Sequence, residues 1–232
     1  MIVNRLFSFV LTLIISSPLT PTLLADPGDS LLASEIRIIG DSIFTTGGNM
    51  IRGHLESISG LTIDTHANGG AVMSQVREQY LNIKDQNIRT IIMDGGGNDI
   101  LGDSGNCRNQ NNDSCKAHIE QVVETARTLF EEMAENGVEN IVFMTCHYPM
   151  GWNSGYVDAI NYGTSLITEV CAEARSRCII VDPRESFQGK SHYLEWDGVH
   201  PNRTGAQVMA DLIWQAMVEN WASPRNPDNK LR

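Results

Sequence analysis

Five short apolar runs recur along the chain, most of them rich in β-branched residues, with segments of helical periodicity between them. The runs are Ile36-Arg37-Ile38-Ile39, Leu61 to Thr65, Thr90 to Asp94, Ile141 to Thr145 and Ile179 to Asp182. After the first run, Ile51, Leu55 and Ile58 mark one helical face that stops at Gly60. Val72, Val76, Tyr80 and Leu81 mark a second. A long helix is predicted from about His118 to Glu135, with Asn136-Gly137 as its stop signal. Val157, Ile160, Leu166, Ile167 and Val170 predict the next helix, and a last one is expected from about Thr204 to Trp221. Strands that read as continuous apolar runs and alternate with helices belong to a parallel sheet covered on both faces. The pattern shows neither an internal repeat nor a linker. It therefore predicts an α/β fold: a single three-layer α/β/α domain with a five-stranded parallel sheet in the flavodoxin-like order 2-1-3-4-5.

The ends of the chain carry other information. Arg5, an apolar run from Leu6 to Ile15 and the small residue Ala25 have the layout of a secretory signal peptide, with cleavage expected after Ala25. The run is shorter than the roughly 20 residues that span a bilayer. Residues 1–25 are thus expected as a leader and 26–232 as the folded domain, with no integral membrane segment after cleavage, and the protein is expected to be secreted or periplasmic. The 28 acidic against 17 basic residues give a net charge of −11, which argues against nucleic acid and anionic membranes as partners. Five cysteines suit an oxidising compartment. Their spacing suggests the pairs Cys107–Cys115 and Cys171–Cys178, with Cys146 left over as a buried thiol. No Cys-x-x-Cys pattern is present, so no metal site is expected.

The tripeptide Gly-Asp-Ser occurs at 28–30, 40–42 and 102–104. Only Gly40-Asp41-Ser42 follows a strand and leads into a helix, which puts its serine at the carboxyl edge of the sheet, where open α/β sheets hold their chemistry. Alone, Ser42 would more often be a helix cap. Three further stretches fall at the same edge: Gly69-Gly70, Gly96-Gly97-Asn98-Asp99 and Asp197-Gly198-Val199-His200-Pro201-Asn202. Acyl transfer needs a nucleophile, a base, a group that orients the base and donors for the oxyanion. Ser42, His200 and Asp197 fill the first three roles as catalytic candidates. The Ser42 amide, a Gly70 amide and the Asn98 side chain are the candidate oxyanion donors, with Gly69 as the fallback for Gly70.

This set resembles the SGNH (GDSL-type) hydrolase superfamily. Gly40-Asp41-Ser42-Ile43 matches its first block, with isoleucine in place of leucine. Gly70 matches the glycine of the second, Gly96-Gly97-Asn98-Asp99 the third, and Asp197-Gly198-Val199-His200 with Pro201-Asn202 the last. Four motifs in order over nearly the whole mature chain are far more specific than any one of them. The resemblance implies a flavodoxin-like fold, a Ser-His-Asp triad and no cofactor, and within the superfamily the chain looks most like bacterial arylesterases or lysophospholipases.

The expected function is a serine esterase that hydrolyses small-molecule carboxylic esters (lipid, aryl or short-chain acyl) through an acyl-enzyme. A carbohydrate O-deacetylase or an O-acyltransferase would use the same triad, and a non-catalytic binding module is a more distant alternative. A Gly-x-Ser-x-Gly elbow is missing, which disfavours the α/β-hydrolase fold. His147, in the loop after the fourth run, is read either as lining the cleft or as a packed loop residue. The sequence leaves the oligomeric state open.

Overall fold

The computed structural model describes residues 35–102, 106–109 and 112–220. The expected leader at 1–25, the first Gly-Asp-Ser at 28–30, residues 103 and 104 of the third, and everything from residue 221 lie outside them.

Five strands form one all-parallel sheet in the order β2-β1-β3-β4-β5, as the sequence predicts. They are β1 (Ile36–Ile39), β2 (Asp64–Thr65), β3 (Thr90–Met93), β4 (Asn140–Met144) and β5 (Arg177–Val181). Seven helices accompany them among the described residues: α1 (Ser42–Ser59), α2 (Met73–Leu81), α3 (Gly97–Gly102), α4 (Asp113–Glu135), α5 (Val157–Glu173), α6 (Arg184–Phe187) and α7 (Arg203–Glu219).

Successive strand side chains point to opposite faces, and here both faces are apolar. Ile91, Met93, Ile141 and Phe143 pack into one core with residues of α2, α4 and α5. Ile92, Val142 and Met144 pack into the other with residues of α1 and α7. That two-sided burial is why the strands read as unbroken apolar runs.

Several boundaries move for identifiable reasons. β2 is only two residues long, because the Ile63 N–H donates to Glu56 Oε1 at 2.8 Å instead of joining the ladder. α4 starts at Asp113, before the expected His118, since Asn112 caps it by accepting the Cys115 N–H at 2.9 Å. α1 begins at Ser42, ahead of the face predicted from Ile51, and is broken by Gly47, Gly48 and Asn49, all at positive φ. Its far end is closed by Gly60 at φ 73°, as expected.

Both expected disulfides, Cys107–Cys115 and Cys171–Cys178, are formed, and Cys146 is free. The first sits in a small separate core with Ile100, Ile119 and Tyr156, tying Cys107, after α3, to the first turn of α4. Cys146 lies just past the end of β4 rather than inside it.

Candidate active site

The turn after β1 is held from three sides. Gly40 takes φ 145°, and a Cβ there would stand 1.9 Å from Asp94 Oδ1, so only glycine lets Asp94 approach. The Gln79 side-chain amide clamps the same residue, accepting the Gly40 N–H at 2.8 Å and donating to the Gly40 carbonyl at 2.9 Å. Asp94 Oδ1 accepts the Asp41 N–H at 2.8 Å. Asp41 in turn caps α1, its Oδ1 accepting the Ile43 N–H at 2.9 Å. Ser42 is therefore the first helical residue, at the carboxyl edge of the sheet.

The loop before α7 is folded by its own aspartate. Asp197 Oδ1 accepts the N–H groups of Val199 (2.9 Å) and His200 (3.0 Å), and Oδ2 lies 2.6 Å from His200 Nδ1. His200 Nε2 is 2.9 Å from Ser42 Oγ. Burial alone would raise the Asp197 carboxyl, but the bonds from the His200 ring and from the two backbone amides outweigh it and hold the group below the usual carboxylate range. Asn202 closes the loop, accepting the Thr204 and Gly205 N–H groups as the cap of α7.

A second histidine fixes this loop from below. His147 Nε2 lies 2.7 Å from the Val199 carbonyl and Nδ1 lies 3.0 Å from the Tyr148 carbonyl. Its ring stacks on Phe187 with centroids 4.9 Å apart. Burial pushes the imidazole pKa down despite the two carbonyls, so the ring is neutral near pH 7 and donates one of the two bonds. The two sequence readings of His147 are both realised: it is packed, and it lines the cavity beside Ser42.

The candidate oxyanion donors come from three loops. Gly70 has φ 77°, and no acceptor among the described residues takes its N–H. Asn98, near the start of α3, donates through Nδ2 to Asp41 Oδ2 (3.1 Å) and to the Ala71 carbonyl (3.0 Å). Those bonds join the loops after β1, β2 and β3 and hold Ala71, the residue after Gly70, against Asn98. They also occupy both amide protons of Asn98, so donation to an oxyanion requires one to be exchanged or shared. Asp99 braces the same loops, its Oδ2 accepting the Met73 N–H at 2.9 Å.

Two residues that shape the site were passed over in the sequence. Gln79 falls three positions after Val76, a polar side chain on the apolar face of α2, and that misfit was its signal. Asp94 read as the end of the third run. It is buried, and its Oδ2 has no hydrogen-bond partner among the described residues. Burial and the neighbouring Asp41 charge push the Asp94 carboxyl well above its usual range, so Asp94 is the member of the pair that keeps a proton. Burial, with the nearby charges of Asp41 and Asp99 added, pushes the Cys146 thiol up to about 12. That thiol is unreactive at neutral pH.

A hydroxyl bonded to an imidazole whose other nitrogen faces a carboxylate meets the geometric requirement for moving a proton from oxygen to nitrogen. Comparison with known proteins agrees in fold. A lipase from a goat rumen metagenome shares 17% identity at a TM-score of 0.66, covering 78% of this chain and 96% of that one. An acetylxylan esterase from Geobacillus stearothermophilus shares 17% identity at 0.61, over 81% and 96% of the two chains. An α/β hydrolase enzyme from the metagenome of Lake Arreo shares 20% at 0.61, over the same 81% and 96%. No curated protein sequence matches the chain. The family model described as GDSL-like lipase/acylhydrolase, however, matches residues 36–213, from β1 into the last turns of α7 and through every motif quoted above, and the chain belongs to that family.

Proposed function

We propose that the protein is a carboxylic ester hydrolase in which Ser42 is the nucleophile, His200 the base and Asp197 the residue that orients it. The observation that carries this reading is the continuous line Ser42 Oγ, His200 Nε2, His200 Nδ1, Asp197 Oδ2, with contacts of 2.9 and 2.6 Å. Ser42 Oγ attacks the ester carbonyl carbon while its proton passes to Nε2. The oxyanion that forms meets the Ser42 and Gly70 N–H groups and the Asn98 amide. Collapse breaks the bond to the alcohol oxygen, which leaves with the proton from His200. Water then gives a proton to His200, attacks the acyl-enzyme and frees the acid and Ser42. Ser42→Ala should abolish hydrolysis of p-nitrophenyl butyrate with an unchanged near-UV spectrum, and full retention of activity overturns the reading. The acetylxylan esterase of like fold has catalytic mutants in which a serine or a histidine is replaced, which agrees with these roles.

A second reading, carbohydrate O-deacetylation, is favoured by two tryptophans. Trp196, next to Asp197, is 97% exposed, and Trp152 is 87% exposed beside Asn153, whose Nδ2 donates to the Asp197 carbonyl. Large exposed aromatic faces at a site mark a binding surface. Release of acetate from acetylated xylan in preference to p-nitrophenyl esters would select it. Labelling of Ser42 by a fluorophosphonate excludes the binding-module alternative.

We also place the protein outside the cytoplasm. Two disulfides support this, and no helix among the described residues is long and apolar enough to cross a membrane. Amino-terminal sequencing of exported protein should begin at Asp26.

A further inference from the structure

We infer that the cavity beside Ser42 is a channel for the acyl half of the substrate, and that the preferred ester carries a medium or long unbranched acyl chain. This rests on Ser42 as the nucleophile. The first chamber opens at Ser42 and Asn98 and is walled by Ile43, Met144 and Met209. A second lies between the sheet and helices α4 and α5 and is walled by Val122, Phe143 and Ile167. They share Gly95, Ile100, Thr145, Cys146 and Ile160, so the two lie side by side where β4 gives way to its loop, and the channel is the path between them.

The chemistry of the walls selects the ligand. The second chamber has no charged side chain in its wall, only threonines as polar groups. In the first, both Asp41 oxygens are taken by Ile43 and Asn98, and Asp94 Oδ2 is the buried oxygen without a hydrogen-bond partner among the described residues. An uncharged flexible chain fits such a space; a sugar, with hydroxyls to satisfy at every carbon, does not.

The position of the base selects which half of the ester enters. The leaving alcohol must receive its proton from His200 Nε2. Ser42 and Asn98 line the first chamber and His200 does not, so the alcohol departs toward the imidazole and the acyl group extends into the chamber. Gly163 lines the second chamber. A glycine inside α5 weakens the helix, and what it provides is room. A Cβ there would stand 3.4 Å from Ile119 Cγ2 and 3.6 Å from Ile100 Cδ1. A larger side chain at 163 would plug the second chamber.

The test compares p-nitrophenyl acetate, butyrate, octanoate and dodecanoate at monomeric concentrations, in the natural protein and in Gly163→Leu. Each methylene taken into the channel should raise kcat/KM about threefold to fourfold, so octanoate should exceed acetate more than tenfold. Gly163→Leu should lower the dodecanoate-to-butyrate ratio at least tenfold. Acetate as the best substrate, or an unchanged ratio in a folded variant, overturns the channel while leaving the esterase reading in place. Should the variant not fold, the natural protein decides: a dodecyl fluorophosphonate should modify Ser42 faster than an ethyl one, and an equal or slower rate overturns the channel. No modification by either reagent overturns the esterase reading and the channel with it.

Discussion

The Asp41 N–H donates to Asp94 Oδ1 at 2.8 Å, and this buried bond ties the end of β3 to the turn that presents Ser42. The same Asp41 accepts from Asn98 through Oδ2, so one aspartate positions both the serine and a candidate oxyanion donor. Gly40 and Asp94 are a matched pair, because any Cβ at 40 would occupy the space of the Asp94 oxygen.

Asp94→Asn should keep the turn, since the amide oxygen still accepts the Asp41 N–H and the NH₂ supplies a permanent donor in place of the retained proton. The raised Asp94 carboxyl means the folded protein binds a proton that the unfolded chain releases. Its contribution is therefore full below the ordinary carboxylate range and is lost as pH rises. Thermal melts from about pH 4 to pH 8 should show the variant gaining on the natural protein as pH rises. Asp94→Ala should instead lose about 1–3 kcal/mol through the orphaned Asp41 amide, a drop of several degrees in Tm, together with most activity.

Asp197→Asn should lower kcat on p-nitrophenyl butyrate by about a thousandfold to ten-thousandfold, because the carboxylate that orients the ring and balances its charge is gone. KM should change little. In the natural protein the Asp197 carboxyl is held low, so its stabilising effect is present at and above the usual carboxylate range and disappears only as pH falls through the depressed value. Acid unfolding of the variant should lack that step.

His147→Ala should slow kcat about tenfold to a hundredfold by freeing the Val199 carbonyl and loosening the turn that carries His200. His147→Gln, which can donate there, should recover part of it. The folded protein keeps this ring neutral below the pH at which the unfolded chain protonates it, so stability falls as pH drops below about 6.5. Denaturant midpoints measured across pH 5 to about 7.5 should fall toward acid more steeply for the natural protein than for the glutamine variant.

Loss of either disulfide should cost about 2.5 kcal/mol, given closed loops of 8 and 7 residues. Urea unfolding of Cys171→Ala/Cys178→Ala checks this. Breaking Cys107–Cys115 should in addition loosen the segment that packs with Ile100 and so alter the rates on long esters before short ones. Cys146 should resist iodoacetamide at pH 8 until the protein unfolds, its thiol being pushed up to about 12. Intact mass before and after denaturation reads this directly.

Local sequence was enough for the sheet and the long helices, and it named the candidate residues that the fold brings to one edge. Parallel strands buried on both faces must be apolar throughout, and the βα alternation leaves little choice of topology. Ser42, Asp197 and His200 were legible because each lies in a short motif at a strand end or before a helix, and their order along the chain is itself information. Strand and helix ends were less legible where a side chain takes over a backbone bond, as Glu56 does at Ile63 and Asn112 at α4.

What only the tertiary structure decided are relationships between residues far apart in the chain. Asp94 was hidden as the polar end of an apolar strand, and Gln79 as one misfit on a helix face, because their partners at Asp41 and Gly40 are about forty to fifty positions away. The doubly committed Asn98 amide likewise arises where several loops converge. Hydrogen-bond periodicity and hydrophobic burial act locally enough to be read from a linear pattern. Proton sharing, close approach at glycine and the shape of a cavity depend on three-dimensional packing, which no spacing along the chain encodes.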